Sequence, residues 1–91
     1  MNIVILGAGQ VGSELSAILA SDHDITLIDL NQEKLLKISD HHDLKTICGN
    51  ACYPKTLEQA EIGNADLAIA MTQYDEVNMV ACQMIKHMSK K

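Results

Sequence analysis

The chain has 91 residues, 47% apolar and 21% charged, enough for one packed domain but not for a catalytic domain beside a separate substrate domain. Its net charge of −5 sets twelve acidic residues against seven lysines, with no Arg, Phe or Trp; without guanidinium forks or stacking platforms, nucleic acid is not expected as a partner. No apolar run approaches the roughly 20 residues of a membrane span, Met1 leads into an apolar run without a basic leader, and three cysteines without an export signal fit free thiols at Cys48, Cys52 and Cys82, so a cytoplasmic segment with no direct membrane insertion is expected.

Short β-type runs alternate with amphipathic stretches along the whole sequence. Asn2 to Leu6 is a continuous apolar, β-branched run closed by glycine, the pattern of a strand buried on both faces of a parallel sheet. From Gln10 to Ser21, Val11, Leu15, Ile18 and Leu19 recur at helical spacing and predict a first helix. Ile25 to Ile28 is a second strand ending at Asp29, and Asn31 offers a cap for a helix carrying Leu35, Leu36 and Ile38. Lys45 to Cys48 predicts a third strand ending at Gly49, after which Pro54 suits the first turn of a helix carrying Leu57 and Ala60. Ala65 to Met71 is the fourth strand. Thr72, three residues before Asp75, suggests a capping arrangement for a last helix with Val77, Val80, Ala81, Met84, Ile85 and Met88 as its buried stripe.

Four βα units with right-handed crossovers predict an α/β fold: a Rossmann-like, doubly wound parallel sheet in a three-layer α/β/α arrangement. The chain is read as a single domain, 1–91. It stops after four βα units, at Ser89-Lys90-Lys91, where another strand would be expected, so the domain is read as incomplete at its C-terminus.

Gly7-Ala8-Gly9-Gln10-Val11-Gly12 is a GxGxxG placed after a strand and opening a helix, the context in which this pattern binds dinucleotides. Gly7 permits the tight turn, Gly9 lets backbone amides approach a pyrophosphate, and Gly12 allows close helix-to-strand packing, while the helix N-terminus supplies N–H groups and positive dipole. Asp29, at the end of the second strand, is placed to accept hydrogen bonds from both hydroxyls of an adenosine ribose. A carboxylate there repels a 2′-phosphate, and the chain has no Arg to accommodate one, so the expected cofactor is NAD(H) or an adenine nucleotide such as ADP, ATP or AMP. The bland reading makes the glycines turn formers and Asp29 a helix-flanking acid.

Asn50 and Ala51 follow the third strand and would border the adenine, or else form an ordinary turn. Thr72 and Gln73 end the fourth strand on the same edge, where hydroxyl and amide could meet the far ribose or pyrophosphate, with helix capping as the alternative for Thr72. Asp75, Glu76 and Asn78 suit the first turn of the last helix through its dipole. His41, His42, Cys48 and Cys52 match no standard zinc spacing, and no metal site is assigned. Cys82 and most of the methionines at 71, 79, 84 and 88 are expected to fill core, with an adaptable binding surface as the alternative for the methionines. His23, His41, His42 and His87 fall on the edge opposite the cofactor, so no catalytic residue is assigned.

NIVILGAGQVG from Asn2 to Gly12, Asp29, and MTQYDEVNMVACQ from Met71 to Gln83 closely resemble the KTN or RCK domains of the peripheral regulatory subunits of Trk-type potassium uptake systems. The resemblance covers essentially the whole chain, and Thr72 to Gln83 is the more particular of its motifs. It implies a non-catalytic cytosolic regulator of potassium transport that binds NAD(H) or adenine nucleotides. It also implies a homo-oligomer, dimer or tetramer, on an integral-membrane potassium transporter subunit at the cytosolic face of the inner membrane. Carried across by position, the site comprises Gly7, Ala8, Gly9, Gln10 and Val11, with Gly12 as support, then Asp29, Thr72 and Gln73, with Asn50 and Ala51 near the adenine. Measured against the family pattern, later strands, an Arg on the next strand and further domains are missing. The same fingerprint heads many dehydrogenases, so an N-terminal cofactor-binding fragment of an NAD-dependent oxidoreductase is the alternative. A structural scaffold with an empty, vestigial site is the third.

Overall fold

The computed structural model describes residues 1–88; the charged end at Ser89, Lys90 and Lys91 and the side chain of Asp75 lie outside the described part. The elements are β1 (Asn2–Leu6), α1 (Gln10–Leu19), β2 (Asp24–Asp29), α2 (Gln32–Ser39), β3 (Lys45–Cys48), α3 (Pro54–Gln59), a single 3₁₀ turn (Ile62–Asn64), β4 (Leu67–Ala70) and α4 (Asp75–Met88). Among the described residues the strands form one parallel sheet in the order β3-β2-β1-β4. Its centre is β1, where Leu6 is in register with Ile28 of β2 on one side and Ala70 of β4 on the other.

Alternation along β1 feeds two cores. Ile3 and Ile5 pack with Ile25, Leu27, Leu35 and Ile38 beneath α1 and α2, whereas Val4 and Leu6 pack with Ile28, Leu57, Ile62 and Ala81 beneath α3 and α4. Helices on both faces explain why β1 is a continuous apolar run. Leu6, Leu27, Leu35 and Leu57 are fully buried, each contributing about 1.5–3 kcal/mol relative to exposure.

The three-layer Rossmann-like architecture expected from the sequence is present, with corrections within its elements. α1 ends at Leu19, with Ala20 as its C-cap, and its inward face is not the stripe of its most apolar residues. Val11 is 61% and Ile18 70% exposed, while Gly12 and Ser16 are buried alongside the half-buried Leu15 and Leu19. A Cβ at Gly12 would collide with the Gly7 carbonyl, and Ser16 returns its hydroxyl to the Gly12 carbonyl at 2.7 Å; small residues let α1 sit close on β1. On α2, Leu35 and Ile38 are buried and Leu36 is exposed. On α4, Ala81 is buried and Val77, Met84, Ile85 and Met88 are half-buried, but Val80, Met79 and Cys82 face outward, so neither Met79 nor Cys82 fills core.

Two local expectations hold. The Asn31 side chain accepts from the Lys34 N–H at 3.2 Å as the cap of α2, and Pro54 opens α3. The cap expected of Thr72 toward Asp75 involves a side chain outside the described part; among the described residues the Thr72 hydroxyl is engaged with Asn78 and the Tyr74 N–H, and the Asn78 N–H bonds the Tyr74 carbonyl at the head of α4.

Candidate nucleotide site

Backbone bonds continue past the strand ends and align three loops at the carboxyl edge of the sheet. The Gly7 N–H bonds the Ile28 carbonyl at 2.7 Å, the Met71 N–H the Leu6 carbonyl at 2.7 Å, and the Gly49 N–H the Asp29 carbonyl at 3.0 Å. β1 leads through α1 to β2 on one side, while β4 returns on the other, so the loops after β1 and β4 diverge and leave a crevice. This is the switch point where open α/β sheets bind ligands.

The crevice is a cleft of about 940 Å³. Of the residues proposed from sequence it brings together Gly7, Gly9, Gln10, Val11, Gly12, Asp29, Asn50, Ala51, Thr72 and Gln73 in its lining. Ala8 does not line it: its methyl is buried beneath the α1 face, and its N–H donates to Asp29 Oδ2 at 2.7 Å.

The glycines have distinct surroundings. Gly7 has φ +113°, a conformation that side chains rarely adopt, and a Cβ there would lie 2.7 Å from the Met71 carbonyl oxygen. At Gly9, the N-cap position of α1, a Cβ would meet nothing within 4 Å. That open space lies over a helix N-terminus with no side-chain cap and no acidic residue in its first turn. Uncapped N–H groups and the helix dipole suit such an end to an anion.

Asp29 is half-buried and held at both oxygens: Oδ2 takes the Ala8 N–H, and Oδ1 takes the Asn31 N–H at 2.7 Å. A carboxylate offers about four acceptor positions, so two remain for a diol while the backbone bonds fix the side chain's direction. The glycine loop and the carboxylate are thus joined by the Ala8 bond before any ligand arrives.

Across the cleft, Asn50 Oδ1 accepts the Cys52 N–H at 2.8 Å, turning the chain so that Gly49, Asn50 and Ala51 border the cavity. Gln73 Nε2 donates to the Tyr74 hydroxyl at 2.9 Å, and the Thr72 hydroxyl is spent within its own loop. Sequence reasoning missed several lining residues: Leu30, Asn31 and Lys34 beyond β2, and Tyr74 and Val77 beyond β4. The sequence marks Asn31 only as a helix cap, and Lys34 has no motif of its own; its place follows from the turn that carries Asp29. Among the described residues, no three His, Cys, Asp or Glu side chains gather as a metal site, and no helix is long and apolar enough to cross a membrane.

Residues 3–91 match the TrkA-N domain family. The chain is 49% identical over 85 residues to the Trk system potassium uptake protein TrkA of Haemophilus influenzae, covering 92% of this chain and 19% of that protein. It is 39% identical over 92 residues to a Trk system potassium uptake protein TrkA homolog of Pyrococcus abyssi, covering 100% of this chain and 40% of the homolog. The chain therefore spans well under half the length of these relatives. Among solved structures, the Shewanella denitrificans Kef CTD in AMP bound form superposes with a TM-score of 0.79 at 17% identity, over 96% of this chain and 52% of that one. A wide-type short-chain dehydrogenase/reductase from Veillonella parvula in complex with NADP superposes with a TM-score of 0.76 at 29% identity, over 96% of this chain and 42% of that one.

Proposed function

This chain belongs to the TrkA-N domain family, and from that premise we propose that its cleft is an effector site for NAD(H), or for an adenine nucleotide in the same place, within a regulator of potassium uptake. The carrying observation is the pinned Asp29 carboxylate, tied by one bond to the uncapped glycine loop. In this reading Asp29 accepts the ribose hydroxyls, Gly49 to Ala51 border the adenine, and the N-terminus of α1 receives the pyrophosphate above Gly9. Ala8 contributes by holding Asp29 rather than by touching ligand. A 2′-phosphate would bring like charge onto Asp29, so NADH is preferred to NADPH.

Regulation follows by linkage. A nucleotide that binds one arrangement of an assembly better than another shifts the population by that difference in affinity. We place this domain at the cytosolic face of the membrane, in a homo-oligomer acting on an integral-membrane potassium transporter subunit, as the family resemblance implies. In this reading the nucleotide is an effector and not a reactant. The likeness to a dehydrogenase that binds NADP makes an oxidoreductase fragment the competing reading. Incubating the protein with NADH and following the 340 nm absorbance with candidate carbonyl acceptors separates the two. Binding with NADH recovered unchanged is expected; acceptor-dependent oxidation would overturn the regulatory reading.

A further inference from the structure

The β4–α4 loop forms one wall of the cleft, and it is held by a side chain to which the nucleotide reading gives no role. Asn78, half-buried in the first turn of α4, spends its amide on a single residue. Its Oδ1 accepts the Thr72 N–H at 3.0 Å and the Thr72 hydroxyl at 2.6 Å, while its Nδ2 donates to the Thr72 carbonyl at 3.1 Å. Only one orientation of the amide satisfies this set, because exchanging O and N would face donor with donor and carbonyl with carbonyl. The Thr72 hydroxyl also accepts the Tyr74 N–H at 3.3 Å. Its proton has two acceptors close by, Asn78 Oδ1 at 2.6 Å and the Tyr74 carbonyl at 3.1 Å, so the hydroxyl is committed within the loop and its latch.

On its other side the same backbone meets the glycine loop, where a Cβ on Gly7 would lie 2.7 Å from the Met71 carbonyl oxygen and 2.9 Å from the Thr72 nitrogen. Thr72 is therefore clamped between the phosphate-facing turn and the first turn of α4. We infer that Asn78 is a positioning residue: it latches Thr72 so that the β4–α4 loop stands at a fixed distance from the glycine loop, and so sets how firmly the half of a dinucleotide beyond the pyrophosphate is held. This rests on the nucleotide reading of the cleft. Adenosine, lying between Asp29 and the Gly49–Ala51 turn, does not reach this wall. A dinucleotide extending past Gly9 does.

The two ligands give the role a signature that general loosening of the fold would not. NADH and AMP are titrated against the wild type, Asn78→Leu, Asn78→Asp and Met79→Ala, with amide hydrogen exchange followed at Thr72. Asn78→Leu leaves the Thr72 N–H and carbonyl without partners, and is expected to weaken NADH about tenfold, and AMP by less than about twofold, while speeding Thr72 exchange. Asn78→Asp keeps the amide's shape and its acceptor but loses the donor to the Thr72 carbonyl, so it moves the same way and serves if the leucine variant does not fold. Met79→Ala, on the exposed face of α4 beside Asn78, stays near wild type. Equal loss of NADH and AMP, or unchanged NADH affinity beside faster exchange, overturns the positioning role. A wild-type chain that binds neither nucleotide overturns the reading beneath it, a result distinct from variants that bind as the wild type does.

Discussion

Asp29 carries two loads, since the same oxygens that would receive a ribose also hold the Ala8 and Asn31 amides. Asp29→Ala should therefore lower stability by about 1–3 kcal/mol, because the half-buried Ala8 N–H loses its acceptor; urea unfolding measures it. The glycines separate by the same logic. Gly9→Ala should fold with near-wild-type stability while losing nucleotide affinity, its methyl entering the open space over the helix end. Gly12→Ala should be destabilised whatever the ligand, since its Cβ meets the Gly7 carbonyl. Parallel unfolding curves and titrations of the two variants check the contrast; equal stability would contradict it. The fingerprint and Asp29 were legible in the sequence because their spacing is fixed by backbone geometry. That the Ala8 amide serves Asp29 was not, because the pairing depends on where two loops meet in space. Thr72 shows the same limit: a hydroxyl at a strand end reads equally as ligand or cap, and neither reading anticipates its engagement by Asn78.

At the scale of elements, the four strands and four helices follow from period and punctuation, and Asn31 and Pro54 mark helix starts as their chemistry requires. The faces of the helices were less legible. Apolar periodicity chose Val11 and Ile18 for the inside of α1, but the sheet is approached through Gly12 and Ser16, where small volume matters more than hydropathy. The consequence opposes simple hydrophobicity: Ser16→Leu should cost about 1–3 kcal/mol by overpacking, whereas Ile18→Ser should stay within about 0.5 kcal/mol of wild type. Thermal unfolding of the two variants tests the assignment, and the reverse order would contradict it. Met79 and Cys82 teach the same lesson on α4. Their residue types favour burial, yet both are exposed, because the inward stripe runs through Ala81, Met84, Ile85 and Met88.

At the scale of the molecule, the order β3-β2-β1-β4 places every part of the cleft at one edge of the sheet, with a core on each face to hold it. Folding and binding are therefore linked: a nucleotide held only by the folded chain should add about 2.7 kcal/mol of stability when present at a hundred times its Kd. A rise in melting temperature with NADH, absent in Gly9→Ala, is the expected outcome. A parallel sheet covered on both faces was legible from the βα alternation and crossover handedness; its strand order was not, because neither feature says on which side of β1 each later strand is added. The proposed role in regulating potassium uptake was not readable from composition or period; it rests on the motif from Thr72 to Gln83 and the TrkA-N match. The most direct test of the central claim is a calorimetric titration of the wild type and Asp29→Ala with NADH and NADPH in parallel. The account predicts that NADH binds the wild type more tightly than NADPH and that this preference collapses in the variant. No binding to the wild type, or equal binding of both nucleotides regardless of Asp29, would contradict it.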